Sequence, residues 1–313
     1  MADRTGEQTV AAPSGEQLIV ERGAVRATVV EVGGGLRELV VGGRRVIDGF
    51  GDEELAPSGR GQVLVPWPNR VDGGRYEWHG RHHQLALDEV DAGNAIHGLV
   101  RFAGWSVLAT SRGRVDLGHR LWPSPGYPFT LDLRITYEVV AHGLIVTTTA
   151  RNAGRESAPF GAGQHPYLLP AGEVTVDECA LRVPAGRYVE TDERGIPTSA
   201  HDVAGSSLDF REGRPIGAAR LDTPFTGLQR DDDGLARVWL SGAGRAVCVW
   251  MDEAYRWAQV FTGDTVPAPR TRAAIAIEPM SCPPNAFVSG ADLVGLEPGE
   301  TWRGRWGITV VDP

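Results

Sequence analysis

From Leu131 to Val139 the chain alternates. Leu131, Leu133, Ile135, Tyr137 and Val139 are apolar, and Asp132, Arg134, Thr136 and Glu138 between them are polar. A period of two sends one set of side chains to a buried face and the other to a wet one, which a helix of 3.6 residues per turn cannot do. Ala141-His142-Gly143 breaks the run, and residues 144–150 read as the return strand of a hairpin. The pattern recurs along the chain. Residues 25–32 turn at Gly33-Gly34-Gly35 into 36–41, and Gly42-Gly43 leads on into 44–47. Tyr76 and Trp78 turn near Gly80 toward Leu85 and Leu87, and 238–240 turn through 241–244 into 246–251. The last stretch alternates through Trp302, Gly304, Trp306, Ile308 and Val310.

No long amphipathic helix with capping signals interrupts this pattern, no segment repeats at a fixed period, and no low-complexity linker divides the chain. The 41 glycines and 21 prolines supply the many turns that short strands need. The expected fold is therefore all-β. Residues 18–313 form one large antiparallel β-sandwich with long loops, preceded by a polar, acidic segment, 1–17, that reads as a disordered tail.

Composition then removes whole classes of function. The net charge of −9 disfavours sequence-independent nucleic-acid binding, which needs a basic face. All 31 basic residues are arginine. Without lysine there is no Schiff-base nucleophile and no Walker A phosphate loop. Cys179, Cys248 and Cys282 are far apart, so neither a structural zinc site nor a disulfide framework is expected. No apolar stretch reaches the length of about 18 residues that a membrane helix needs, and the N-terminus carries no apolar signal core. These features predict a cytoplasmic protein with no nucleic-acid or membrane partner.

Five segments differ from strands and hairpins. Val65-Pro66-Trp67-Pro68-Asn69-Arg70 is a loop stiffened by two prolines, which fix where Asn69 and Arg70 point. By itself it reads equally as a rigid turn with a surface arginine. Asn94-Ala95-Ile96-His97-Gly98 sets a histidine beside a glycine, a pairing that suits close approach to a ligand and also suits a structural histidine. In Gly163-Gln164-His165-Pro166-Tyr167 the proline biases His165 toward an extended conformation, as befits a proton donor held in place. In Ile275-Ala276-Ile277-Glu278-Pro279 a carboxylate stands at the expected end of an apolar strand, where it must be paired or working. Asp222, in Leu221-Asp222-Thr223-Pro224, reads by itself as a turn residue. Competing motifs fail. His79, His82 and His83 cluster in an expected hairpin turn without a partnering carboxylate motif, there is no GxSxG elbow, and Gly161-x-Gly163 and Gly242-x-Gly244 lack the third glycine of a dinucleotide loop.

Taken in order, six pieces resemble the aldose 1-epimerase, or galactose mutarotase-like, superfamily: PWPNRVDGGRYEWHG (66–80), AIHG (95–98), HPY (165–167), AQVFTGD (258–264), IEPM (277–280) and LEPGETW (296–302). The resemblance runs from about Ala24 to Val311. It implies a β-supersandwich with a sugar pocket, and an isomerase that interconverts the α and β anomers of a free hexose without metal or cofactor. It further implies His165 as general acid and Glu278 as general base, His97 and Arg70 as orienting groups, and Asn69, Asp222 and Gln259 as hydrogen-bond partners of the sugar hydroxyls. Two departures mark a divergent branch: Tyr167 is followed by Leu168-Leu169 rather than Asn-Leu after a phenylalanine, and the loop 94–98 is poorer in Asn and Gly. The chemistry fits the residue types independently, because opening a hemiacetal needs a base at O1 and an acid at the ring oxygen. With reference pKa values of about 4.3 and 6.5, a carboxylate is ready to accept near neutral pH and an imidazole can donate. Two other readings stand beside it. One is a hexose-6-phosphate 1-epimerase, for which Arg75, Arg81 and Arg101 are available guanidiniums. The other is a non-catalytic sugar-binding protein on the same fold, against which the matched acid and base argue.

Overall fold

The computed structural model describes residues 11–170 and 174–311. The alternating run pairs as its pattern predicts. Leu131–Val140 and Gly143–Asn152 form a ten-residue hairpin in register from Leu131 with Asn152 to Val140 with Gly143. Leu131, Leu133, Ile135, Tyr137 and Val139 all enter the core. This hairpin is part of a nine-stranded antiparallel sheet. Arg114–Leu121 and Ser106–Ser111 extend one side, and Thr301–Val311, Arg245–Met251, Ala236–Gly242, Ala180–Arg182 and Arg214–Pro215 extend the other.

A second antiparallel sheet of eight strands runs Pro197–Asp202, Ala185–Thr191, Asp222–Leu228, Trp257–Phe261, Ile275–Met280, Gly163–Gln164 and Val63–Leu64, with Tyr167–Leu168 also paired to Ile275–Met280. The two large sheets form the β-sandwich that the periodicity implied, closing on one continuous apolar core. Gln164 bridges them. Its amide nitrogen donates to the Tyr137 hydroxyl at 2.7 Å, and its carbonyl oxygen accepts from the Trp306 indole N–H at 3.2 Å. Buried polar groups need such partners, and here they lock one strand of the second sheet against two of the first. The described residues contain a single short α-helix, Ala286–Ser289. No helix among them is long and apolar enough to cross a membrane.

Residues 1–10 of the expected tail lie outside the described residues, but 14–16 are tied to the chain at Glu31 and Val32. Ser14 is buried, and the carbonyls of Ser14 and Glu16 accept hydrogen bonds from the amides of Val32 and Glu31. The first strand, Gln17–Arg22, follows directly. The polar composition that suggested a tail serves equally well for a segment that meets a sheet edge through its backbone.

Candidate active site

The site lies on the face of the eight-stranded sheet turned away from the core, and the period of two builds it. In Ile275–Met280, Ile275 and Ile277 join the main core, while Ala276 packs with Tyr167 on the other face and Glu278 points into a cavity there. Across the ladder Gln259 pairs with Glu278, and Phe261 pairs with Ala276 on one side and Asp222 on the other. Partners in register share a face, so Glu278, Gln259, Phe261, Asp222 and Tyr167 converge. Glu278 is not at the strand end expected from the sequence. It is the fourth of six residues, and Pro279 and Met280 continue to pair with Ala258 and Trp257. Asp222, which by itself read as a turn residue, opens the strand Asp222–Leu228.

His165 interrupts a strand between Gly163–Gln164 and Tyr167–Leu168. Because Gln164 points into the core, His165 points out toward the cavity. Its N–H donates to the Gln62 carbonyl at 3.1 Å, and its own carbonyl accepts from Gly61 N–H at 2.9 Å. Two neighbours contact the ring. Tyr167 stacks on it, with centroids 4.8 Å apart and planes 13° apart. Gly59 also lies close, where a Cβ would stand 2.8 Å from the imidazole Cδ2. In this setting His165 Nε2 is 3.3 Å from Glu278 Oε1.

The proline-stiffened loop and the AIHG segment meet beside this pair. His97 has φ +61°; its N–H donates to the Asn69 carbonyl at 2.8 Å, and its Nδ1 accepts from Asn69 N–H at 3.1 Å. That bond fixes the tautomer, leaving the proton on Nε2. The His97 and His165 rings meet edge to face at 5.4 Å. Gly98 is required because a Cβ there would fall 2.1 Å from the Val65 carbonyl oxygen. The Asn69 side-chain oxygen is occupied by the Arg70 N–H at 2.9 Å, which leaves its NH2 group as the donor. Arg70 forms a bidentate pair with Glu89, Nε to Oε2 at 2.8 Å and Nη2 to Oε1 at 2.8 Å.

Together these residues line a cavity of about 320 Å³ that also receives Arg101, Phe102 and Phe261. Six of the seven residues singled out in the sequence line it: Glu278, His165, His97, Arg70, Asn69 and Asp222. Gln259 does not. It is buried and donates from Nε2 to Asp222 Oδ1 at 2.6 Å, so its amide nitrogen holds a carboxylate. Of the three other arginines considered, only Arg101 reaches the site, and Asp88 pairs with it at 2.5 Å. Arg75 bonds Gln84 and Arg81 bonds Glu156, both at the surface. His79 and His83 lie outside the cavity, stacked on Trp78 and Tyr76. Sequence reasoning missed Gly59, Phe102 and Phe261. The first sits in a Gly-Arg-Gly stretch with no motif, and the pairing of Phe261 with Asp222 becomes visible only in register.

Burial dominates the electrostatics. It raises the Glu278 carboxyl well above the ordinary glutamate range, reinforced by the negative charge of Asp222 and only partly opposed by Arg70. It lowers His165 to about 3, with Arg60, Arg101 and Arg70 adding to the effect. His97 falls well below its ordinary value for the same reasons, with His165 also contributing. Asp222 is raised by burial, against the pull of Arg70 and the Gln259 hydrogen bond. Each member of the close pair thus favours its uncharged form: a protonated carboxyl next to a neutral imidazole. A perturbed acid and base facing each other in a cavity are the usual mark of a functional site.

The family model for aldose 1-epimerase matches residues 16–309. The chain belongs to the aldose 1-epimerase family. It is 36% identical to the uncharacterized protein YihR of Escherichia coli K12 over 291 residues, covering 93% of this chain and 92% of YihR. Solved structures repeat the fold at low identity. A putative aldose 1-epimerase from E. coli K12 superposes with a TM-score of 0.82 at 21% identity, covering 95% of this chain and 99% of that one. A GalM/aldose epimerase homologue from C. elegans gives 0.84 at 19%, with the same coverage. A galactose 1-epimerase from Lactobacillus acidophilus NCFM gives 0.81 at 21%, covering 94% of each chain.

Proposed function

We propose that this chain is an aldose 1-epimerase that interconverts the α and β anomers of a free hexose, with Glu278 as base and His165 as acid. The observation that carries this reading is the 3.3 Å approach of His165 Nε2 to Glu278 Oε1 on the wall of the cavity. The resting pair, carboxyl and neutral imidazole, holds the same number of protons as the working pair, carboxylate and imidazolium. One proton shifted across the contact converts one into the other with no change of net charge. Sugar hydroxyls that donate to Glu278 favour its ionised form, since hydrogen bonds to a carboxylate stabilise the charge.

The cycle then closes. Glu278 takes the O1 proton, His165 delivers its proton to the ring oxygen, and the C1–O5 bond breaks to give the open aldehyde. The C1–C2 bond rotates. The O5 hydroxyl attacks the other face of C1 and returns its proton to His165, while Glu278 returns its proton to O1. Each positioned proton transfer contributes about 10²–10⁴-fold. His97 Nε2–H, the Asn69 NH2 group and the Asp222 carboxyl are suited to holding hydroxyls, and Gln259 keeps Asp222 in place.

The preference for an uncharged sugar rests on the two guanidiniums of the cavity. Arg70 is engaged by Glu89 and Arg101 by Asp88, so neither is left without a carboxylate. A 6-phosphate would bring nearly two negative charges beside Asp222 and Glu278, and phosphate sites are ordinarily built from guanidiniums offered in bidentate geometry. The test is the rate of anomer relaxation, by polarimetry and coupled anomer assays, across free aldoses and their 6-phosphates at two ionic strengths. Free hexoses are expected to show the higher kcat/KM. A phosphate preference above about tenfold that weakens with salt refutes the substrate assignment. Binding without turnover on every sugar refutes the enzymatic one.

A further inference from the structure

Arg60 belongs to none of the motifs above, yet it is among the largest side chains that are fully buried, at 2% exposure. It does not line the cavity. Its Nε donates to Asp48 Oδ2 at 2.9 Å and its Nη1 to the Pro57 carbonyl at 3.3 Å. Its Cζ stands 4.3 Å over the centre of the Tyr167 ring. The same ring stacks against His165. Tyr167 is held at two further points: its hydroxyl donates to the Ser58 carbonyl at 3.0 Å, and its own carbonyl accepts from Asp48 N–H at 2.9 Å. Guanidinium and imidazole thus both contact the Tyr167 ring, beside the turn 57–59 that also brings Gly59 against His165. A buried ion pair is weak evidence of stabilisation, because well-packed apolar groups serve a core equally well. The arrangement of this one is informative, since its guanidinium lies over the ring that stacks with His165.

We propose that Arg60 is a positioning residue for the acid–base pair, fixing through the Tyr167 ring the orientation in which His165 faces Glu278. This rests on the acid–base reading of the site. Arg60 also brings a permanent charge. Around His165 the charged and titratable groups are Arg60 from the segment 57–62, Arg70, His97 and Arg101 from the two loops, and Glu278 from its strand, with Asp222 beyond Glu278 and Asp48 beyond Arg60. The three guanidiniums all oppose protonation of the ring, and removing Arg60 eases it.

Two variants separate orientation from charge. Arg60→Met combined with Asp48→Asn removes the ion pair without leaving a lone buried charge. It is expected to lower kcat by about tenfold or more while KM stays within about threefold, because only the reacting geometry is disturbed. It is also expected to shift the acid limb of the kcat profile, and the NMR titration of the His165 imidazole, to higher pH. Arg60→Lys keeps the charge and loses the flat stacking surface. It should lose kcat to a similar degree and leave the imidazole titration near that of the wild type. A purely structural role predicts a lower Tm with kcat, acid limb and titration unchanged in the folded protein, and that result overturns the proposal. Should the double variant fail to fold, Arg60→Lys decides alone: unchanged kcat refutes it. Should the wild-type chain show no mutarotation of any aldose, the functional reading falls. The imidazole titration then still decides whether Arg60 governs His165, and an unmoved titration in the double variant refutes that too.

Discussion

Gly59→Ala places a single methyl group against the proposed acid. Two magnitudes follow from the structure. Gly59 has φ +78°, a conformation that costs alanine about 1–2 kcal/mol. The new Cβ would stand 2.8 Å from His165 Cδ2 and 3.2 Å from Nε2. Against an ordinary carbon–carbon contact of about 3.5 Å the shortfall is roughly 0.7 Å. The ring has little freedom to shift, because Tyr167 is stacked on it and its backbone is pinned by Gln62 and Gly61. It must turn, taking Nε2 away from Glu278, or the turn 57–59 must lift. A misplacement of about 1 Å in a reacting group costs on the order of 10²-fold, so kcat should fall by about 10- to 10²-fold. Gly23→Ala is the control: Gly23 has φ +62° and nothing within 4 Å of an added Cβ, so it carries the backbone strain without the contact. Anomer relaxation at saturating sugar gives kcat, and denaturant unfolding gives the stability loss. The two variants should lose similar stability while only Gly59→Ala loses turnover. If their kcat values agree within about twofold, the placement of the imidazole is not what sets the rate.

Four further outcomes are expected. Glu278→Gln and His165→Asn should each lower kcat by at least about 10²-fold with the thermal transition retained; a folded variant near wild-type activity removes that residue from the mechanism. His165, depressed to about 3 by burial, contributes stability that is present above the unfolded histidine pKa and lost as pH falls toward the folded value. Between pH 6.5 and about 3 the wild type should therefore lose about 1 kcal/mol per pH unit relative to His165→Asn, and parallel unfolding curves refute the sign. Glu89→Gln frees the Arg70 guanidinium and should lower KM for a hexose 6-phosphate relative to the free sugar, an effect that must shrink with added salt. Gly98→Ala drives a Cβ to 2.1 Å from the Val65 carbonyl oxygen at φ +76° and should cost more than about 2 kcal/mol in chemical denaturation; a neutral result refutes the close approach.

What the sequence makes legible is whatever short-range pattern determines. Alternation over 131–139 forces a half-buried strand, and the structure returns that hairpin with the expected side chains inside. The site loops are readable because proline and glycine restrict the backbone around Arg70, His97, His165 and Glu278, and because the order of six motifs is specific. What depends on register is not readable. Gln259 resembles any sugar-binding amide until the ladder sets it across from Glu278 and diagonally from Asp222, where it serves a carboxylate. Arg60 resembles any loop arginine until Asp48 and Tyr167 close on it. The strand Ser106–Ser111 gave no signal because, on the outer edge of its sheet, it is exposed along its whole length and has no face to alternate.

The Gln164 bridge has a consequence for how substrate range can change. The proposed acid adjoins the residue that bolts one sheet to the other, and the proposed base lies mid-strand in the same sheet, so the backbone that carries both is held by the sandwich itself. Most of the cavity residues proposed to meet the rest of a sugar, Arg70, His97, Arg101 and Phe102, ride on connecting segments outside the two large sheets. Such segments accept replacement far more readily than packed strands do. Proton transfer and recognition thus have separate mechanical supports, and exchanging residues 88–102 between related chains is a route to a new sugar preference on an unaltered acid–base pair.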